Sequence, residues 1–113
     1  TRVNREPLVA GMICSNEPGY YKPGDYGIRI ENLVLIEPRT IAGGEEDMLG
    51  FETLTLASID RTMIDRHLLD PAETAWLDAY HARVHGVIGA QLIGEARTWL
   101  DAACAPLGLD ATV

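Results

Sequence analysis

The feature that most limits the fold of this chain is a change of character near Gly50. Up to about Ala57 the sequence is rich in β-branched and aromatic residues broken by Gly and Pro, whereas beyond Asp70 it is rich in Ala, Leu, Glu and Arg. The first group favours strands and the second helices, so the order is strands first and helices afterwards, an α+β arrangement. With 113 residues there is room for one domain of modest size.

In the strand-rich part, Gly11 to Glu17 reads as a strand ended by Pro18-Gly19, because proline donates no hydrogen bond and glycine permits a sharp turn. Lys22-Pro23-Gly24-Asp25 reads as a second turn. Ile28 to Glu37 carries the strongest strand signal, and Phe51 to Ser58 carries another, with a loop tip and a solvated acid run at Gly43 to Asp47 between them. In the helix-rich part, Asp70-Pro71-Ala72-Glu73 has the form of a capped helix start. The helix should run to about Gly89, with Trp76, Tyr80, Val84 and Val87/Ile88 forming one apolar stripe. A shorter helix follows from Gly94 through Trp99 and Leu100, ended by Pro106 and Gly108.

Asp and Glu outnumber Lys and Arg by 17 to 9, for a formal charge of −8, which disfavours nucleic acid as a partner. The longest apolar runs, such as Leu33 to Ile36, are far shorter than a membrane span, and Thr1 opens no signal sequence. Cys14 and Cys104 lack metal-binding spacing and read as two small buried thiols in a reducing compartment. The expectation is therefore a soluble cytoplasmic protein with neither nucleic acid nor membrane as partner.

Two acidic positions stand out for their chemistry. Within Ile28 to Glu37 both faces look apolar, yet Arg29 and Glu31 share the odd face and would point into an interior. A buried carboxylate needs a cation, an ion-pair partner or a metal. A simple Arg29/Glu31 ion pair is the competing structural explanation. Glu17 sits where an apolar strand meets Pro18-Gly19, and two such carboxylates brought together would repel unless a divalent ion neutralised them. Glu52 shares a face with Leu54 and Leu56 and is a candidate supporting group. His67, His81 and His85 have no metal-ligand spacing with a carboxylate and read as surface or helix-flanking residues. Ser15 and Ser58 lack the context of a nucleophilic serine.

The stretch Gly11-Met-Ile-Cys-Ser-Asn-Glu-Pro-Gly-Tyr-Tyr21, followed by Tyr26-Gly-Ile-Arg-Ile-Glu-Asn-Leu33, closely resembles the end of the catalytic domain of Xaa-Pro aminopeptidases. Phe51-Glu-Thr-Leu-Thr-Leu, Ile59-Asp-Arg, Leu68-Leu-Asp-Pro and the helices after them resemble the C-terminal extension of the longer members. The resemblance implies the C-terminal part of a pita-bread fold, antiparallel strands followed by a helical extension. Residues 1–49 would be catalytic domain and residues 50–113 the extension. It further implies a metallo-aminopeptidase with two divalent metal ions, usually manganese, that removes an N-terminal residue preceding proline. Glu17 and Glu31 would be metal ligands, Glu31 bridging both ions and Glu17 also handling the proton of the attacking water, with Arg29 beside Glu31 as a structural or substrate-orienting group.

In that family two Asp and one His complete the ligand set from upstream, and this sequence contains no candidate for them. The chain alone is thus expected to bind metal weakly and to hydrolyse nothing. A non-catalytic binding or dimerisation module of the same fold is the alternative. The raw edge of a partial sheet favours a homodimer, with Trp76, Tyr80 and Trp99 as candidate contacts.

Overall fold

A computed structural model describes residues 5–107 of the chain. They divide into two compact units, one ending at Thr55 and the other beginning at Leu56. Gly108, expected to help end the second helix, lies outside the described residues.

The first unit contains β1 (Ile13–Asn16), β2 (Gly19–Tyr21), β3 (Gly27–Arg29), β4 (Asn32–Arg39) and β5 (Met48–Thr53). β4 is central to a three-stranded antiparallel sheet of order β1-β4-β5, while β2 and β3 form an antiparallel hairpin. The hairpin closes through Lys22-Pro23-Gly24-Asp25: the Asp25 N–H donates to the Lys22 carbonyl at 3.1 Å, and Gly24 takes φ +74°. That geometry is the reason for proline followed by glycine at the centre of the turn. Val34 and Ile36 of β4 are buried on one face, 7% and 1% exposed.

Two strand expectations are corrected. Ile28 to Glu37 is not one continuous strand, for the chain leaves regular pairing at Ile30 and Glu31 between β3 and β4. Nor does Pro18-Gly19 turn the chain away; β2 begins at Gly19 and pairs with the segment just ahead of β4. One cause accounts for both. Pro18 lies opposite Ile30 and accepts its N–H at 3.2 Å, but has no N–H to return, so this rung holds only one of its two bonds. β5 also lies earlier than expected, at Met48–Thr53 rather than Phe51 to Ser58.

The second unit holds single-turn helices at Arg61–Met63 and Arg66–Leu68, then α1 (Pro71–Gly89) and α2 (Gly94–Ala103). The start of α1 is as expected: Asp70 accepts from the Glu73 N–H at 2.8 Å, and Glu73 accepts from the Asp70 N–H at 2.9 Å. Leu77, Tyr80 and Val84 of α1 pack with Leu100, Cys104 and Leu107 into a core flanked by Leu56, Ile59 and Ile64. The buried stripe is therefore shifted around the helix from the expected one, with Trp76 and Val87 exposed and Leu77 and His81 buried instead. Cys104 is buried as expected, but Cys14 is only partly so.

His81 is the largest departure from expectation. Far from lying at the surface, it is fully buried, and its Nε2 accepts the Ile59 N–H at 3.0 Å. Tyr80 ties down the same segment, its hydroxyl donating to the Ala57 carbonyl at 2.8 Å. Helical spacing alone missed this because the backbone donor that meets Nε2 lies outside the helix; the other ring nitrogen, Nδ1, is buried with no hydrogen-bond partner among the described residues. Burial, with the Arg61 charge adding to it and Asp78 opposing, holds the His81 pKa below its ordinary value.

The neutral ring is the one that accepts from Ile59, so the unfolded chain takes up a proton that the folded unit excludes. Stability should be full above about pH 6.5, the ordinary histidine value, and fall as the pH drops below it. Urea unfolding from pH 7.5 to 5 should show this fall, and His81→Gln should flatten it; an unchanged slope in the variant would exclude His81 as the source.

Candidate metal centre on the strand ladder

Glu17 follows β1 directly, and Glu31 precedes β4 directly. Their relation follows from the register. Asn16 pairs with Asn32, Pro18 bonds with Ile30, and Gly19 pairs with Arg29. The two ladders therefore share one register across the proline, and the rung between Asn16/Asn32 and Pro18/Ile30 opposes Glu17 to Glu31. Hydrogen-bonded and non-hydrogen-bonded rungs alternate in an antiparallel pair. Since Pro18/Ile30 carries a hydrogen bond, Glu17/Glu31 is of the other kind, in which Cα atoms approach to about 4.5 Å and side chains leave the same face.

That face carries further polar groups. The Ser15 hydroxyl donates to Glu17 Oε1 at 2.6 Å, and Arg29 Nε lies 3.1 Å from Glu31 Oε2. A hydrogen bond with Tyr21 and then the Glu31 charge hold the Arg29 guanidinium above its already high ordinary pKa, with Glu17 adding a smaller push. Glu52 on β5 opposes Leu35 of β4, which puts it on this face too, beyond Leu33 and Leu35. Gly19 and Gly27 make room for the Tyr21 ring: a Cβ on either would come within 2.8 Å of it.

The expectation that Arg29 and Glu31 point into an interior is corrected. Their side chains are 51% and 40% exposed in this chain, and Glu17 is exposed as well. The physical reason is the interruption at Pro18: the apolar run that implied two covered faces belongs to β4, and these residues lie ahead of it. What unites the acids is register rather than burial. Among the described residues no group of three or more His, Cys, Asp or Glu side chains could hold a metal ion. Of the candidate contact residues, Trp76 and Trp99 are exposed, but Tyr80 is buried beneath the stacked Trp76 ring at 5.4 Å. Reading the residues one at a time missed Ser15 and Tyr21 as neighbours of the acids; the spacing of two along a strand from Glu17 was the available signal for Ser15.

Comparison with known proteins shows the family of the chain. Residues 1–38 match the model of metallopeptidase family M24, and residues 47–107, more than half of the chain, match that of the C-terminal region of peptidase M24. The chain belongs to the M24 peptidase family, as a C-terminal part of it. It is 44% identical over 109 residues to a probable Xaa-Pro aminopeptidase P of Laccaria bicolor, covering 93% of this chain and 17% of that protein. It is 42% identical over 106 residues to one of Tuber melanosporum, covering 88% and 17%. Among solved structures it is similar to an X-prolyl aminopeptidase from Caenorhabditis elegans, a cytosolic enzyme with a di-nuclear active site. There the TM-score is 0.81 and the identity 34%, over 95% of this chain and 18% of that one. The chain thus spans about a sixth of the relatives' length, and its α+β architecture is that of the C-terminal part of the pita-bread fold. No helix among the described residues is long and apolar enough to cross a membrane.

The tyrosine shelf gives a direct test of the local packing. Gly27→Ala should push the exposed Tyr21 ring aside at a cost of at most about 1 kcal/mol, the value of a cross-strand contact. Adding Tyr21→Ala should remove most of that cost in urea unfolding; fully additive losses would show that the ring does not rest on Gly27.

Proposed function

We propose that this chain is the C-terminal part of a dinuclear, metal-dependent aminopeptidase that cleaves between an N-terminal residue and a following proline. The observation that carries the reading is the opposition of Glu17 and Glu31 on one face of one ladder. Two facing carboxylates repel unless cations lie between or beside them, and their hard oxygen donors suit manganese or a similar divalent ion. The residues present fit such a group as part of its ligand set. Glu31 would bridge two ions and Glu17 would bind one, while the remaining donors come from polypeptide outside this sequence.

When bound, a pair of divalent ions lowers the pKa of a water and polarises the scissile carbonyl. The chain's own residues then have distinct tasks. Glu17 accepts the proton of the attacking water and Arg29 holds Glu31 in its orientation through their ion pair. Proline in the second position of the substrate makes the target bond a tertiary amide without an N–H, so recognition depends on the ring. Trp76 and Trp99, 53% and 64% exposed, support a homodimer through the second unit. The cytosolic place of the C. elegans relative supports a cytoplasmic one here.

The test uses the full native polypeptide that carries this sequence. It should bind manganese and hydrolyse Xaa-Pro peptides, and Glu31→Gln should lower activity by at least about 100-fold, the upper end of what disturbing a supporting group costs. The 113-residue chain alone should show only weak manganese binding and no hydrolysis. Parental activity in Glu31→Gln would remove this reading.

A further inference from the structure

Each of the two opposed acids is held by a different neighbour two residues earlier in the chain, near the end of the strand that precedes it. Glu31 is held by a cation, Arg29 Nε at 3.1 Å, and Glu17 by a neutral donor, the Ser15 hydroxyl at 2.6 Å. Ser15 and Glu17 leave the same face because strand side chains alternate, and the residue opposite Ser15 is Leu33, whose side chain cannot compete for the hydroxyl. A free Glu side chain at a strand end samples several rotamers; a short hydrogen bond from a serine on the rigid strand selects one. The bond also occupies Oε1 and leaves Oε2 open. Because the donor is neutral, it fixes the carboxylate without cancelling the charge that a cation would seek.

We infer that Ser15 is a positioning residue that holds Glu17 with one oxygen free to face a divalent cation and the reacting water. The inference rests on the proposed role of Glu17 and adds the group that sets its geometry. Ser15 itself touches neither metal nor substrate. Since it is exposed on an edge strand of the described sheet, removing its hydroxyl leaves no cavity and should not disturb folding.

The experiment compares the full native polypeptide with its Ser15→Ala, Ser15→Thr and Glu17→Gln variants. Each is measured by calorimetric titration of the metal-free protein with manganese alone, and by kcat and KM on an Xaa-Pro peptide. Ser15→Ala should weaken manganese binding about tenfold and lower kcat with KM little changed, as loss of a group supporting a metal ligand does. Ser15→Thr keeps the hydroxyl on a residue suited to strands and should restore both. Parental binding and kcat in Ser15→Ala, with both lost in Glu17→Gln, would overturn the role of Ser15 and leave that of Glu17 standing. Failure of Ser15→Thr to improve on Ser15→Ala would overturn it as well. Parental behaviour in Glu17→Gln would overturn the reading on which the inference depends.

Discussion

The missing N–H of Pro18 organises the strand-rich unit. An antiparallel ladder runs from β1 and β2 on one side to β4 and β3 on the other, and at Pro18/Ile30 it lacks half of a rung. The single remaining bond, from the Ile30 N–H to the Pro18 carbonyl, keeps the two halves in one register. The register in turn brings Glu17 opposite Glu31. A proline next to an acid thus relaxes the pairing at one point while leaving intact the correspondence that sets two carboxylates on the same face. Around them the supports are short-range: Ser15 on Glu17, Arg29 on Glu31, and Tyr21 lying across two glycines to reach Arg29.

The helical unit is held by polar ties on an apolar core. Tyr80 and His81 take up backbone groups of Ala57 and Ile59, so successive residues of α1 secure one extended segment. Arg61 donates to the carbonyls of Ala102, in the last turn of α2, and of Pro106, and Arg66 to that of Leu107, so both guanidinium groups tie down the chain where the helix ends. On the other side, Arg97 and His85 meet at Asp101, whose pKa both hold below the usual carboxylate range. Charged side chains here serve as caps and struts, which explains why so few of the unit's ionisable groups are candidates for chemistry.

Much of this was legible in the residues, and the failures have definite causes. The Asp70 to Glu73 capping box and the Lys22 to Asp25 turn were readable because their signals are local and each residue acts on its neighbours. Pro18-Gly19 was misread because the same dipeptide serves a turn and an interrupted ladder, and only the partner strand distinguishes them. Arg29 and Glu31 stand out in the sequence for a burial they do not have; the relation of Glu31 to Glu17 is across the ladder, and pairing is not written in one strand. His81 escapes notice since the donor that meets its Nε2 is Ile59, many residues away. The motif from Glu17 to Glu31 pointed to the family that comparison shows, because it carries its meaning in contiguous residues.

The central claim is that Glu17 and Glu31 oppose each other on one face of one ladder, and a cross-link tests it most directly. In the full native polypeptide, Glu17→Cys with Glu31→Cys should oxidise readily to a disulfide, since a non-hydrogen-bonded rung brings Cα atoms to about 4.5 Å, within the disulfide range. Peptide mapping by mass spectrometry should find that link, and should find none in the one-residue-shifted pair Glu17→Cys with Asn32→Cys, whose side chains leave opposite faces. A disulfide in the shifted pair, or none in the opposed pair, would contradict the account.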